Sequence, residues 1–270
     1  MNITFSVPDA ASMLDSILAF QAEDESAFWS DPLYHFYPQL DRALAQSLPA
    51  QERAAYIRRT MESVYAEQLP TLQAKCDLYA AHWQQYRDQV NAALSDAFDC
   101  SMADLFNDLH CHVSLNPIQP RYLTERQFDA FYLNSERGAL GTALHELVHF
   151  AWFHVWNQVF ADDYTEYERP SLKWILSEMV VESIMRDERL SSINPYFPRE
   201  HGGCVYPYFF TLMIDGVPAL DTLDEMYRTL PSAPLCRRAM PGVRPMSPSF
   251  ASTSQPPNNP FHRRYHHVDT

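Results

Sequence analysis

Cysteine is scarce in this 270-residue chain and poorly spaced for bonding. The five present, Cys76, Cys100, Cys111, Cys204 and Cys236, are an odd number at wide intervals, with no CxxC pair. That pattern argues against a disulfide framework and a cysteine-based zinc site, and it implies a reduced, cytoplasmic setting. Long apolar runs are missing as well. No stretch approaches the roughly 18 uninterrupted apolar residues of a membrane span, so no transmembrane helix is expected. The opening segment MNITFSVPDAASMLDSILAF has neither a basic n-region nor a long apolar core, so no signal peptide is expected. Positive charge is in deficit: 20 Lys and Arg face 34 Asp and Glu, for a formal net charge of −14. Such a balance argues against a partner held through phosphates or an anionic membrane surface. Glycine is absent from residues 9–108.

Apolar residues are plentiful, at 46% with 13% aromatic, which is enough for a sizeable core. Residues 9–108 carry apolar positions at helical spacing. After Pro70 one side of a long helix is lined by Leu72, Cys76, Tyr79, Trp83, Tyr86, Val90 and Leu94. SLPAQERAAYIRRTMESVYAEQL, before that proline, reads as a separate amphipathic helix. The texture changes near residue 110. HCHVSL alternates, with Cys111, Val113 and Leu115 on one side and His110, His112 and Ser114 on the other. It and the aromatic-rich QFDAFYL read as strands separated by NPIQPRYLTE. Asn134 or Ser135 then caps a helix running to about Phe160. The acidic loop ADDYTEYERPS and a second apolar helix, LKWILSEMVVESIMRDERL, follow it. A short helix is expected around PALDTLDEMYRTL. Six prolines fall between positions 241 and 260 among Ser, Asn and Gln, which marks an irregular tail. The expected organisation is a helical region over 1–108, a core over 109–235 and the tail over 236–270, in a mostly helical α+β fold.

The helix after residue 135 contains ALHELVHFAW, an apolar run interrupted by His145, Glu146 and His149. Positions i and i+4 share a helix face, so the two imidazoles can converge on one ion. Glu146 is rotated about 100° from His145 and stands beside that ion. Zinc catalysis uses this set: neutral nitrogen ligands, a position left to water and a nearby base. The carboxylate takes the proton of the attacking water and later delivers it to the leaving amine. Gly138, Gly141 and Thr142, one turn earlier, are expected to leave room above the ion.

A third ligand is needed, and the second helix supplies it. Trp174, Glu178, Val181, Glu182 and Met185 share one face, while the opposite side is also apolar, so the helix reads as buried. Glu182 has Arg186 four positions on. Glu178 has no such partner and is the better ligand candidate, with Glu182 as a carboxylate behind a ligand histidine. Their roles are interchangeable from the sequence alone.

HExxH followed by a glutamate on the next helix resembles the gluzincin zinc metallopeptidases, the thermolysin-like and aminopeptidase-like enzymes. The resemblance spans residues 128–190, and SEMVVE is similar to the thermolysin arrangement. Ser177 stands where that group commonly has Asn, and the interval from His149 to Glu178 is longer than usual. The resemblance implies a zincin-like core, Zn2+ held by His145, His149 and Glu178, Glu146 as base, and a peptide or protein substrate. It also implies an edge strand before the HExxH helix, here QFDAFYL, and a His or Tyr donor for the oxyanion. His201, Tyr206 and Tyr208 are the candidates for that donor. The expected function is zinc-dependent peptide hydrolysis. The alternative is a helical binding or regulatory protein that keeps a zincin-like core without turnover.

Overall fold

The computed structural model describes residues 1–22, 25–161, 171–196 and 206–230. Its described residues form a mostly helical α+β chain with one small mixed sheet. The chain divides into two compact units. One comprises Ile3–Trp83 and Leu109–Thr142 and holds the four-stranded sheet. The other comprises Met1–Asn2, Gln84–Asp108 and Ala143–Pro256, and its described residues are mostly helical.

In the sheet unit, strand β1 (Ile3–Ser6) is followed by helices α1 (Ala10–Leu18), α2 (Ala27–Phe36) and α3 (Arg42–Ser47). The long helix α4 (Ala50–Phe98) begins in this unit. Beyond it come the short α5 (Met102–Leu105) and then strands β2 (Leu109–Ser114), β3 (Arg121–Tyr122) and β4 (Gln127–Phe131). The sheet order is β1-β2-β4-β3, with β1, β2 and β4 parallel and β3 antiparallel to β4. Phe5, Cys111 and Phe128 lie in register across the three parallel strands. The alternation of HCHVSL is realised up to Val113: Cys111, Val113 and Leu115 are fully buried, His110 is exposed and His112 half-buried, but Ser114, expected beside those histidines, is buried too. His112 Nδ1 is 3.8 Å from Oδ1 of Asp129, its cross-strand neighbour.

Three features differ from the sequence expectation. Strand β1 is additional; its four residues carry no pattern of their own and are held by pairing with a strand over a hundred positions away. QFDAFYL is an interior strand rather than an edge. Besides β2 on one side and β3 on the other, the Asp129 amide donates to the Pro120 carbonyl at 2.8 Å and the Phe131 amide to Gln119 Oε1 at 3.1 Å. The NPIQPRYLTE segment folds back over that edge, so its outward N–H groups already have acceptors, and strand addition there has nothing to pair with.

Pro70, thirdly, does not end a helix. The buried stripe Ile57, Met61, Val64, Leu72, Cys76, Tyr79 and Trp83 passes it without a change of spacing. Pro70 sits on the exposed side, as does Ala66, whose carbonyl loses its i+4 donor. Burial of the stripe outweighs the local penalty. Pro70→Ala is therefore expected to stabilise the chain by about 2 kcal/mol. That figure is the roughly 3 kcal/mol interior-proline penalty less about 1 kcal/mol of unfolded-state entropy. A raised urea midpoint with unchanged slope is the readout.

In the helical unit, α6 (Glu136–Phe160) continues from Ala143, and α7 (Leu172–Ile184) and α8 (Glu188–Ser191) follow. A 3-10 turn (Pro207–Thr211) leads into the hairpin β5 (Met213–Ile214) and β6 (Val217–Pro218) and then α9 (Ala219–Thr229). Asp215 and Gly216, both at positive φ, form the two-residue turn of the hairpin. Helix α9 packs on α7 and buries Ala219, Leu220 and Leu223. Among the described residues no helix is long and apolar enough to cross a membrane. Residues 236–270, expected as a tail, lie outside the described residues.

Candidate metal centre

Ser135 caps α6, its Oγ accepting from the Gly138 amide at 3.1 Å. Beyond Ala143 the helix is buried nearly all round, with Leu144, Leu147, Val148, Ala151, Trp152 and Phe153 almost fully enclosed. Such a helix has no polar face on which to carry its histidines and carboxylate, so they are drawn inside. His149 is fully buried, Glu146 is buried, and His145 keeps a small exposed margin. Ser171 caps α7, accepting from the Trp174 amide at 3.2 Å. Helix α7 is also enclosed by Leu176, Met179, Val180, Val181, Ile184 and Met185, which carries Glu178 and Glu182 into the interior.

The two helices bring three donor atoms together. His145 Nε2 and His149 Nε2 are 3.1 Å apart. Glu178 Oε2 lies 3.5 Å from His145 Nε2, and Glu178 Oε1 lies 3.3 Å from His149 Nε2. Among the described residues this is the one group of three or more His, Cys, Asp or Glu that clusters in this way. The spacing is a test of fit. Donors about 2.05 Å from one ion lie about 3.3 Å apart at tetrahedral angles and about 2.9 Å apart at octahedral ones. The three separations centre on the tetrahedral value. Two nitrogens and a carboxylate are also donors that a borderline ion such as Zn2+ accepts.

Glu146 stands beside this cluster without belonging to it. Its Oε1 is 3.9 Å from His145 Nε2. The carboxyl of Glu178 is held well below the usual carboxylate range. Burial alone pushes it upward, but the charge of His149 and hydrogen bonds from His145 and His149 outweigh that push. A cation bound there would take over the role of the imidazolium charge, so its binding would release the proton of His149 rather than one from Glu178.

The remaining sequence candidates fall in different places. Glu182 is fully buried; its Oε2 is 2.7 Å from Arg186 Nη1, and its Oε1 accepts from the Tyr196 hydroxyl at 2.9 Å. Tyr196 carries no periodic signal and reaches Glu182 from beyond α8, so only the Arg186 contact was readable in advance. Tyr206 is buried, with its ring edge-on to Trp174 at 5.3 Å and tilted against Phe209 at 5.2 Å. Trp174 is one helical turn before Glu178. His201 lies outside the described residues, as does the side chain of Tyr208. His154 is directed elsewhere, towards Phe106 and Gln158. A methyl group at Gly138 would meet Asn134 and Ser135 first, so that glycine borders its own cap rather than the donors.

Comparison with known proteins gives no relative: no family model, no curated protein and no solved structure matches the chain.

Proposed function

We propose that the chain is a zinc-dependent peptidase with a zincin-like core, acting on a peptide or protein substrate in a cytoplasmic setting. One observation carries this reading: His145, His149 and Glu178 converge at tetrahedral donor spacing with the Glu146 carboxylate beside them. His145, His149 and Glu178 would hold the ion, with no fourth protein donor clustered beside them among the described residues. Bound there, zinc supplies Lewis acidity toward water and a carbonyl oxygen. Glu146 removes a proton from the attacking water as its oxygen bonds to the carbonyl carbon. The same carboxyl then protonates the amide nitrogen as the C–N bond breaks, so atoms and charge balance. Burial of Glu146 keeps competing solvent from its carboxylate.

The second reading is a non-catalytic binding protein built on the same core. Glu146 weighs against it, because a buried carboxylate beside the donors contributes nothing to a silent site and costs stability through desolvation. Metal analysis of the purified protein, followed by exposure of the zinc-loaded form to a peptide library, tests the proposal. About one equivalent of zinc and cleavage at defined bonds are expected. Stoichiometric metal with no cut peptide favours the binding reading, and no bound metal overturns both.

A further inference from the structure

Helices α6 and α7 each carry a donor pair at i, i+4: His145 with His149, and Glu178 with Glu182. Side chains at this spacing stand about 5–6 Å apart at Cβ and can converge on one ion. All four together would make a complete His2Glu2 shell, and a shell filled by protein is the mark of a closed, structural zinc site. Glu182 is not in the cluster. Its carboxylate is gripped from two directions. Arg186 Nη1 bonds Oε2 at 2.7 Å and also donates to the Glu182 backbone carbonyl, which ties the guanidinium to this turn of α7. From the chain beyond α8, the Tyr196 hydroxyl donates to Oε1 at 2.9 Å. The guanidinium lies over the Tyr196 ring, 4.9 Å from its centre, so the two clamps brace each other.

We propose that Arg186 and Tyr196 are positioning residues that hold Glu182 off the cation, and so keep the fourth coordination corner open. The inference rests on the metal reading of the site. Arg186 supplies the positive charge a fully buried carboxylate requires. Once that charge is gone, a cation bound one turn away offers compensation, and Glu182 swings to it.

The test uses the full chain, stripped of metal and reloaded with Zn2+ or Co2+. Zinc affinity is read by competition with a chromogenic chelator. An open corner is read as a change in the cobalt absorption spectrum when azide is added. The wild type is expected to bind and to respond to azide. The Arg186→Gln, Tyr196→Phe double variant is expected to bind zinc about tenfold tighter, at the lower end of what outer contacts exert on affinity, and to ignore azide. Adding Glu182→Gln to that pair restores both wild-type properties. A wild type that binds no metal removes the metal reading itself. A wild type that binds, beside a folded double variant of unchanged affinity and azide response, overturns the clamp alone. Breaking a buried ion pair can unfold a protein. If circular dichroism shows that outcome, Tyr196→Phe, which retains Arg186, is measured instead. A smaller shift in the same direction supports the proposal, and no shift overturns it.

Discussion

Glu146→Gln is expected to leave zinc stoichiometry unchanged and to lower peptide hydrolysis by about 10²–10⁴-fold, the range a positioned general acid–base group contributes. The replacement is nearly isosteric, so the buried volume beside His145 is kept. Its amide cannot accept the proton of the attacking water or return one to the leaving nitrogen. Because Glu146 lies outside the donor cluster, with Oε1 3.9 Å from His145 Nε2, the three donors should be undisturbed. The variant separates the two functional readings. In an enzyme, turnover falls at constant metal content. In a binding protein no turnover exists to lose. If metal and activity disappear together, Glu146 is holding the ion and its assignment as base is wrong. Activity that survives at the wild-type level sinks the mechanism.

What was legible in the sequence divides along the range of the interactions. The placement of His145, His149 and Glu146 on one helix follows from local geometry, since i and i+4 coincide on a face wherever a helix forms. The choice of Glu178 over Glu182 was readable as a tendency, because Arg186 at i+4 marks Glu182 as already compensated; the structure puts Glu178 in the donor cluster and Glu182 on Arg186. The apolar surround of α7 likewise implied burial of both glutamates, as observed. Pairings between distant segments had no local trace. Strand β1 forms only because Ile3–Ser6 meets Leu109–His112, and Tyr196 joins Glu182 from beyond α8. The edge position of QFDAFYL is implied by the resemblance alone, and nothing in NPIQPRYLTE announces that Pro120 and Gln119 turn back onto it. Pro70 misled for the opposite reason. There the burial of a long stripe outweighs the local preference of proline to end a helix.

His149→Ala should have the largest effect on the metal. His149 is fully buried and lies 3.1 Å from one partner donor and 3.3 Å from the other, so its loss removes the central arm of the triad. Two arms remain, and zinc affinity is expected to fall by more than about 100-fold, the upper end of what losing an outer-shell partner costs. The consequence for stability is a linkage effect. At free zinc about 100 times the dissociation constant, the wild type gains about 2.7 kcal/mol. At about 2–4 °C per kcal/mol for a chain of this size, that is a rise of roughly 5–10 °C in Tm over the chelated protein. The variant should show no such rise at the same zinc concentration. It should also melt lower than the chelated wild type, because Glu178 keeps its burial but loses the charge of His149, first among the contacts that hold its carboxyl low. His154→Ala is the control: His154 is half-buried on the same helix but turned toward Phe106 and Gln158, so its variant should keep the full zinc-dependent rise. Equal zinc responses from the two variants would mean that the buried imidazole binds no ion, and that the convergence of α6 and α7 is a hydrogen-bonded core and nothing more.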